Sequence, residues 1–534
     1  MAKLIVHNSG RLARMMVRQD RIQIPVWILS ISLLTLVVAN AFTNLYPSDL
    51  ERQAIAETMK NPAMIAMVGQ GYGLSNYTNG AMMAHQMLLF TAMAVGIMSI
   101  LLVTRHTRAD EEDGRLEMIR SLPVGRLATL QATIVVAFGV NILLALVTGF
   151  GLYALNIESM DLEGSLLYGA ALGATGIVFS AITALFAQLT ESSRGTIGFS
   201  ITVLLLSYLI RAIGDVSNET LSWFSPFGWI LGTETYVNNN WWPVLLTIGA
   251  ALVVIAISCY LNAIRDLGAG FIPARPGRKH ASSFLQSPLG LALRLQRTGF
   301  IAWAIGMFIL GASYGSVFGD LESFFATNEM MVKMFAQAEG FSLTEQFLST
   351  LMKVIAMICT IPPLLAVFKL KGEEKRNFTE HLLSRSVSRS RLMGNYLTVS
   401  IISGFVMLSL ASVGLGAVAI SVMDEVIPFG VFFQSAIVYF PALLIMIGIA
   451  MLLIGFAPKL SGFTWLYLTY SFFVLYLGGL LQFPEWLGKL SPFGYIPELP
   501  VGDMDFMSVS VLTVIGALLI VAGFIGYSKR DIYG

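Results

Sequence analysis

Charged residues are scarce in this chain. Only 12% of its 534 residues are Asp, Glu, Lys or Arg, whereas 56% are hydrophobic. Soluble globular proteins carry about 25% charged residues, so most of a chain with this composition must face lipid. The formal net charge is +1, and no basic field points to nucleic acid. We therefore predict a membrane protein with no nucleic-acid partner.

Motifs that carry chemistry are also missing. The two cysteines, Cys259 and Cys359, lie inside apolar runs, where buried thiols are expected. The chain has no G-x-x-x-x-G-K-[ST] phosphate loop, no H-E-x-x-H and no zinc-ligand spacing. We predict no catalytic residue, no metal site, no cofactor in this chain and no enzymatic activity of its own.

Ionisable side chains are nearly absent from the long apolar runs. Arg211 and Lys353 lie near the ends of runs, where long side chains reach the interface. A proton-driven carrier normally keeps a carboxylate or histidine inside the membrane, at about 2.5–3.5 kcal/mol for Asp. Because no run carries one away from its ends, any transport is expected to take its energy from a partner.

Long apolar runs make up most of the sequence. A helix needs about 20 apolar residues to cross the hydrocarbon core. Twelve runs qualify, and we number them as spans 1 to 12: 24–43, 84–104, 128–154, 164–187, 197–213, 241–264, 299–318, 349–368, 393–420, 430–456, 463–482 and 508–527. They predict an all-α polytopic membrane protein with about twelve transmembrane helices, of which span 10 is long enough to tilt or bend.

Several short patterns occur twice, about 265 residues apart. Ser225-Pro226-Phe227-Gly228 returns as Ser491-Pro492-Phe493-Gly494, and each copy precedes a span that ends in Arg-Asp. Asp49-Leu50-Glu51 returns as Asp320-Leu321-Glu322. Since six spans are an even number, both halves insert with the same orientation. We predict two parallel-oriented six-helix repeats, 1–267 and 287–534, joined by a cytoplasmic linker at 268–286.

Basic residues predict the orientation. Most of the 33 Lys and Arg residues fall before span 1, after every second span or at the C-terminus, so both termini are expected in the cytoplasm. Segment 4–22 has basic and apolar faces that suit an interfacial helix on membrane lipid, and 287–299 is similar. The long segments 44–83 and 319–348 are predicted as short helices on the outer side.

The loop at 105–127 is the most informative cytoplasmic segment. Acidic residues precede basic ones, an order that suits the dipole of a short helix. Leu116, Ile119 and Arg120 form an apolar strip beside charge, and Pro123 and Gly125 end the helix before span 3. A docking element and a solvated basic loop both fit this pattern.

This loop resembles the coupling-helix region of type-2 ABC exporter permeases, E-x-x-x-G-T-L-E-x-L-x-x-[ST]-P-[VI]-x-R. The matching residues are Glu111, Gly114, Leu116, Glu117, Pro123, Val124 and Arg126. A second copy at 369–392 fits with Glu373, Glu374, Glu380, Ser384, Val387 and Arg389. There Ser386 stands where Pro123 would align, and the glycine is missing.

The resemblance implies a function for the chain. Its twelve-span fused form is similar to the membrane subunits of polyketide-antibiotic exporters of Gram-positive bacteria. It implies a multi-pass plasma-membrane subunit that exports amphiphilic, antibiotic-like or drug-like compounds, with two copies of a separate ABC ATPase that bind ATP and Mg²⁺. The implied ATPase-coupling residues are Glu111, Glu112, Gly114, Glu117, Arg120, Pro123, Arg126, Glu373, Glu374, Glu380, Ser384 and Arg389.

The resemblance also places the repeated Ser-Pro-Phe-Gly stretch in an outer re-entrant turn between the last two spans of each half. Two other functions remain open. One is a secondary carrier of the major facilitator type, which has the same topology but carries G-x-x-x-D-R-x-G-R-[RK] after span 2, a pattern missing here. The other is a membrane sensor or scaffold that binds partners without moving a solute.

Overall fold

The computed structural model describes residues 7–60, 62–273, 279–319, 341–385, 387–423, 427–477 and 484–531. Within these ranges the chain is helical apart from turns and short connections, and it contains no β-strand. Inside a bilayer the backbone finds no water, and a helix satisfies its N–H and C=O groups within one segment. The all-α prediction is confirmed.

Eleven helices among the described residues are long and apolar enough to cross a membrane: Gln23–Leu45, Asn79–Glu112, Ala128–Ala154, Leu162–Leu189, Ser193–Ser217, Trp242–Ile264, Pro288–Val317, Thr344–Lys375, Arg389–Val422, Phe429–Phe456 and Phe506–Lys529. They coincide with spans 1 to 10 and span 12, so the polytopic class is confirmed. In the region of span 11 the structure has helix Phe463–Leu477, and residues 478–483 lie outside the described ranges.

Shorter helices occupy the connections. They are Ser9–Gln19, Asp49–Thr58, Pro62–Val68, Arg115–Arg120, Glu219–Ser222, Pro226–Leu231, Phe378–Leu383 and Glu485–Lys489, with 3-10 turns at Leu74–Asn76, Ser283–Gln286, Pro458–Leu460 and Pro492–Tyr495. The predicted outer segment 319–348 and the repeated Asp320-Leu321-Glu322 fall mainly on residues 320–340, outside the described ranges.

The chain divides into two compact units, residues 1–277 and 278–534. In the first unit, span 4 is the most buried helix and packs against spans 2, 3 and 6. Close approach depends on small residues: a Cβ on Gly169 would lie 2.2 Å from the carbonyl oxygen of Ala145 in span 3. Packing through small residues is how helices associate where lipid removes the hydrophobic driving force.

In the second unit, the closest helix pairs are span 7 with span 9 and span 10 with span 12. A Cβ on Gly311 would lie 2.0 Å from the carbonyl oxygen of Ala411, and one on Gly455 would lie 2.4 Å from that of Gly523. Both helix pairs therefore meet at backbone distance.

Two spans of the second unit are interrupted. Span 8 consists of helices Leu343–Cys359 and Ile361–Lys375, and span 10 of Phe429–Ile437 and Phe440–Phe456. Pro362 and Pro363 follow the first break, and Pro441 follows the second. Proline removes a backbone donor and clashes with the preceding turn, which accounts for the interruption of both helices. Span 4 of the first unit contains no proline and is continuous.

The segments before spans 1 and 7 differ. Helix Ser9–Gln19 is separate and packs against span 3, with Leu12 and Met16 buried. In the second unit, Pro288–Val317 is one continuous helix, so the expected similarity of 287–299 to the first segment is wrong. The first helix ends at Asp20, whose carboxylate contacts Arg105 and His106. In the second unit no proline interrupts residues 289–317, so one helix runs from the segment before span 7 into the span itself.

Candidate functional site

The first loop is the predicted segment 105–127, but its first residues continue the helix of span 2. The helix of span 2 continues through a π-helical turn, Arg105–Ala109, and ends at Glu112, because Gly114 then adopts a left-handed conformation with φ of 71°. The short helix Arg115–Arg120 follows. The acidic residues therefore lie at the C-terminal end of span 2, not at the start of the short helix. A helix C-terminus is negative, so these carboxylates need cationic partners.

Glu111 is the centre of a buried ion-pair cluster. Its Oε2 accepts a hydrogen bond from Nη2 of Arg265 at 2.9 Å and lies 2.8 Å from Nη1 of Arg108, while Oε1 accepts from the Gly268 N–H at 2.6 Å. The three charged side chains are at most 6% exposed. Arg265 belongs to the repeated Arg-Asp after span 6, so this cluster joins the ends of spans 2 and 6.

Two further arginine contacts extend the cluster to spans 3 and 4. Nη2 of Arg126, just before span 3, donates to the carbonyl oxygen of Arg265 at 3.0 Å. Nη2 of Arg108 donates to the carbonyl oxygens of Ala269, at 2.7 Å, and of Thr190, which ends span 4. The first loop is thus tied to the ends of four spans.

A second cluster joins the N-terminal helix to the first loop. Asp20 is fully buried, and its carboxylate lies 2.5 Å from Nε2 of His106 and 2.9 Å from Nη1 of Arg105. Asp110 lies 3.7 Å from Nδ1 of His106 and 2.8 Å from Nη1 of Arg115. Sequence reasoning missed this cluster, because Asp20 and His106 are 86 residues apart.

The short helix of the first loop turns its predicted apolar strip inward. Leu116 is buried, and Ile119 and Arg120 are half-buried. Burial lowers the pKa of the Arg120 guanidinium, and the charge of a nearby carboxylate opposes that shift. The exposed apolar residues are Met118, at 65%, and Leu122, at 60%. The apolar strip therefore packs on its own unit, and the docking role of the loop stays a prediction.

The second loop, residues 369–392, repeats this geometry in the second unit. Its helix from span 8 ends at Lys375, Asn377 takes the left-handed conformation with φ of 59°, and the short helix Phe378–Leu383 follows. Asparagine is one of the few residue types besides glycine that adopt this conformation readily. Asn377 therefore takes the place of the glycine that the second copy lacks, while Ser386 lies outside the described residues.

Glu374 forms the corresponding buried ion pair. Its two carboxylate oxygens accept from Nη2 of Arg530 at 2.8 and 2.6 Å, and its side chain is 6% exposed. Nη1 of Arg389 donates to the carbonyl oxygen of Arg530 at 2.7 Å. Glu373 pairs with Lys369 at 2.5 Å. Arg530 belongs to the repeated Arg-Asp after span 12, so the end of span 8 is joined to the start of span 9 and the end of span 12.

The two loops match in backbone as well as in side chains. Each loop has three corresponding backbone N–H to C=O hydrogen bonds. The first is donated by the left-handed residue, the second lies at the end of the short helix, and the third follows that helix. The pairs are Gly114–Glu111 and Asn377–Glu374, Ser121–Glu117 and Ser384–Glu380, and Val124–Leu122 and Val387–Arg385. All six distances lie between 2.7 and 3.1 Å. The loops thus present short helices of the same form.

The other predicted coupling residues lie on the surface of the loops. Glu112 is exposed and accepts from Ser193 Oγ at 2.5 Å, and the carbonyl oxygen of Pro123 accepts from Asn8 Nδ2 at 2.8 Å. Glu117, Glu380 and Ser384 are exposed on the two short helices. Surface positions suit direct contact with a partner, whereas the buried Glu111 and Glu374 suit the support of the loop.

The repeated Ser-Pro-Phe-Gly stretches start short helical turns. Ser225 Oγ accepts from the Phe227 N–H at 3.1 Å and donates to the Ser207 carbonyl oxygen at 2.6 Å. Pro226 is the first residue of its helix, a position that proline favours because its missing N–H would have no partner there. Gly228 has no positive φ; a Cβ there would lie 2.0 Å from the Ser222 carbonyl oxygen.

The second stretch has the same construction. Ser491 Oγ accepts from the Phe493 N–H at 3.3 Å, and Pro492 begins a 3-10 turn. Phe493 is fully buried, and a Cβ on Gly494 would lie 2.3 Å from the Gly488 carbonyl oxygen. The stretches are therefore capped turns with a close backbone contact, and their position relative to lipid stays a prediction.

Arg211 and Lys353, the cations near span ends, bind groups on connecting segments. Arg211 is fully buried; its guanidinium donates to the carbonyl oxygens of Ile65 and Ala66 at 3.1 and 3.0 Å and pairs with Asp215 at 3.2 Å. The Lys353 side chain is 13% exposed and pairs with Glu498. Both cations hold connecting segments against spans, because carbonyl and carboxylate groups on those segments lie within reach.

Comparison with known proteins assigns the chain to a family. The family model described as "Multidrug efflux system permease Rv1217c, C-terminal domain" matches residues 12–261 and 285–528. The chain belongs to this family of multidrug efflux permeases. It is also 34% identical, over 527 residues, to the multidrug efflux system permease protein Rv1217c of Mycobacterium tuberculosis (strain ATCC 25618 / H37Rv), which covers 98% of this chain and 94% of that protein.

In this efflux permease, three residues that support the loops escaped the sequence analysis. Arg265 and Arg530 were visible as repeated landmarks, but nothing in the sequence showed that they bind Glu111 and Glu374. Asn377 was overlooked because the family pattern has glycine there. The narrower resemblance to polyketide-antibiotic exporters stays a prediction for this permease.

Proposed function

We propose that this efflux permease is the transmembrane subunit of an ATP-driven ABC exporter. Two copies of a separate ATP-hydrolysing subunit, which bind ATP and Mg²⁺, dock on the first and second loops. Both loops and both termini face the cytoplasm of a bacterial cell. The observation that carries the proposal is that each unit holds a short surface helix on a buried carboxylate–guanidinium pair.

The ion pairs attach each short helix firmly to the ends of the spans. Glu111 binds Arg265 after span 6, and Arg126 binds the same residue's carbonyl oxygen from the start of span 3. Breaking a buried pair leaves a charge unpaired and costs about 3–5 kcal/mol, so a displaced loop moves the span ends with it. Closure of two docked subunits would thereby shift each unit between two arrangements.

The transported compounds are hydrophobic or amphiphilic. Polar groups inside the first unit are used for contacts between helices: Asn141 donates to Ser99 Oγ at 3.1 Å, and Ser32 lies 2.8 Å from Thr148. The related mycobacterial protein is named a multidrug efflux permease, and a low charge content in the spans agrees with apolar cargo. Antibiotics of the polyketide type fit this chemistry.

The charge reversal Glu117→Arg tests the docking assignment. Glu117 is exposed on the first short helix, so the change leaves the packing intact and repels a complementary partner. We expect drug efflux and drug-stimulated ATP hydrolysis to be lost in vesicles that contain the permease and the ATP-hydrolysing subunit, with normal amounts of permease in the membrane.

The matched control is Glu158→Arg, which reverses an exposed carboxylate in the connection between spans 3 and 4. It should retain efflux. Normal coupling in Glu117→Arg would remove the first loop from the docking surface. Efflux that stops when the proton gradient collapses, and not when ATP is depleted, would replace the ATP-driven mechanism with a secondary carrier.

A further inference from the structure

Matched positions of the two loops carry opposite charge where they leave the spans. Glu112 and Asp113 follow the ion-paired Glu111 in the first loop. Lys375 and Arg376 follow Glu374 at the same relative positions in the second loop. All four side chains are exposed. The carboxylates of one loop are thus replaced by cations in the other.

A second difference lies on the short helices. Met118 and Leu122 are 65% and 60% exposed on the first loop, and their counterparts on the second loop are the exposed His381 and Arg385. Phe378, 50% exposed, still gives the second loop one apolar ring. Arg115, which is exposed and pairs with Asp113, and the exposed Arg126 offset part of the acidic charge of the first loop. The first loop is therefore more apolar and much less positive than the basic second loop, and charge is the main contrast between them.

The contrast is confined to side chains. The short helices have equal length, the left-handed residues have φ of 71° and 59°, and the backbone hydrogen bonds around them correspond. A partner therefore contacts the same backbone shape on both loops, but with two different charge patterns. A surface that complements one pattern places like charges against the other.

We infer that the ATP-hydrolysing subunit presents an acidic surface that pairs with Lys375, Arg376 and Arg385 of the second loop. The first loop is held on the same surface by apolar contact of Met118 and Leu122, with Glu112 and Asp113 facing carboxylates. This inference rests on the proposed function. It makes the two docking contacts unequal even when the two subunits are identical: the second depends mainly on its cations and the first mainly on apolar contact.

Salt dependence separates the two contacts when each is measured alone. Leu122→Asp places a carboxylate in the apolar contact of the first loop and leaves the second loop unchanged, whereas the matched Arg385→Asp places a carboxylate against the acidic surface at the second loop and leaves the first unchanged. The full permease is placed in vesicles of neutral lipid, and the affinity of the ATP-hydrolysing subunit is measured from about 50 to about 500 mM NaCl, where screening becomes strong. We expect the affinity of Leu122→Asp to fall about tenfold and that of Arg385→Asp to fall less than about threefold.

Charge exchange between the loops is the second measurement. The double change Lys375→Glu with Arg376→Glu is expected to weaken binding about tenfold at low salt, at roughly 0.7 kcal/mol for each reversed charge. The matched change Glu112→Lys with Asp113→Lys makes the first loop resemble the second and is expected to tighten binding about threefold. Equal weakening by both changes contradicts the inference.

The outcomes also distinguish a failure of this inference from a failure of the proposed function. Equal salt slopes for Leu122→Asp and Arg385→Asp overturn the inference while docking stands. Failure of the unaltered permease to bind the ATP-hydrolysing subunit overturns the proposed function itself. Clusters of Lys and Arg beside a membrane also attract anionic lipid headgroups. An effect of Lys375→Glu that requires anionic lipid assigns these cations to the membrane surface and overturns the inference.

Discussion

The two units support their loops with the same kind of buried ion pair but distribute its contacts differently. Glu111 shares its oxygens among Arg265, Arg108 and the Gly268 N–H. Glu374 directs both oxygens to the single guanidinium of Arg530. A carboxylate with several donors keeps part of its stabilisation when one donor is removed. The second loop is therefore more dependent on one residue than the first.

The largest expected effect is that of Arg530→Ala. It leaves Glu374 buried opposite an empty space, and removal of one partner of a buried pair costs about 3 kcal/mol. We expect a lower unfolding temperature of the permease in detergent and loss of efflux. A double variant, Arg530→Gln with Glu374→Gln, should recover part of the stability because no buried charge remains unpaired. Wild-type stability of Arg530→Ala would show that the pair does not support the second loop.

We expect Arg265→Ala to lower the free energy of unfolding by a smaller amount, about 2 kcal/mol. The effect is smaller because Arg108 and the Gly268 N–H still bind Glu111. The same unfolding measurement on both alanine variants gives the comparison directly. A loss equal to or greater than that of Arg530→Ala would contradict the difference between the units.

The left-handed residues give a third comparison, between Gly114 and Asn377. Gly114→Val should destabilise the first loop by about 1.5 kcal/mol, because a branched side chain at φ of 71° is strained. Nothing lies within 4 Å of an added Cβ, so the effect is conformational. Gly114→Asn copies the second loop and should be close to neutral. Susceptibility of the loop to proteolysis, together with unfolding temperature, reports both outcomes; equal effects of valine and asparagine would argue against a conformational cause.

The smallest effects are expected at the capped turns. Ser225→Ala removes a helix cap and a hydrogen bond to the Ser207 carbonyl oxygen, and we expect it to lower the free energy of unfolding by about 1 kcal/mol. Ser491→Ala removes a longer cap contact, at about 0.5 kcal/mol. Threonine at either position retains the hydroxyl and serves as the control. A reversed order of the two alanine variants in thermal unfolding would show that the bond to Ser207 adds nothing.

Much of the fold was predictable because lipid imposes length and composition on each span. Eleven of the twelve apolar runs appear as long helices among the described residues, and the loops at 105–127 and 369–392 carry the short helices. The direction of the strip at Leu116 was not predictable. A six-residue helix is too short for periodicity to show which side packs on its own protein.

The support of the loops was not predictable for a different reason. Glu111 and Arg265 are 154 residues apart in the chain, and Glu374 and Arg530 are 156 apart. The sequence marked Arg265 and Arg530 as repeated and both glutamates as members of a family pattern. Only the fold shows that each glutamate and its arginine meet where two spans end.

The sequence by itself determined the all-helical membrane class, the positions of the spans and the two charged connections, because apolar length and turn chemistry are local properties. Tertiary structure alone decided which charges are buried together and which face outward. A charged side chain next to a span end has no assigned partner until helices from distant parts of the chain pack. Packing then sets both the local dielectric and the choice of counter-ion, and so divides structural charges from those that remain free to meet another protein.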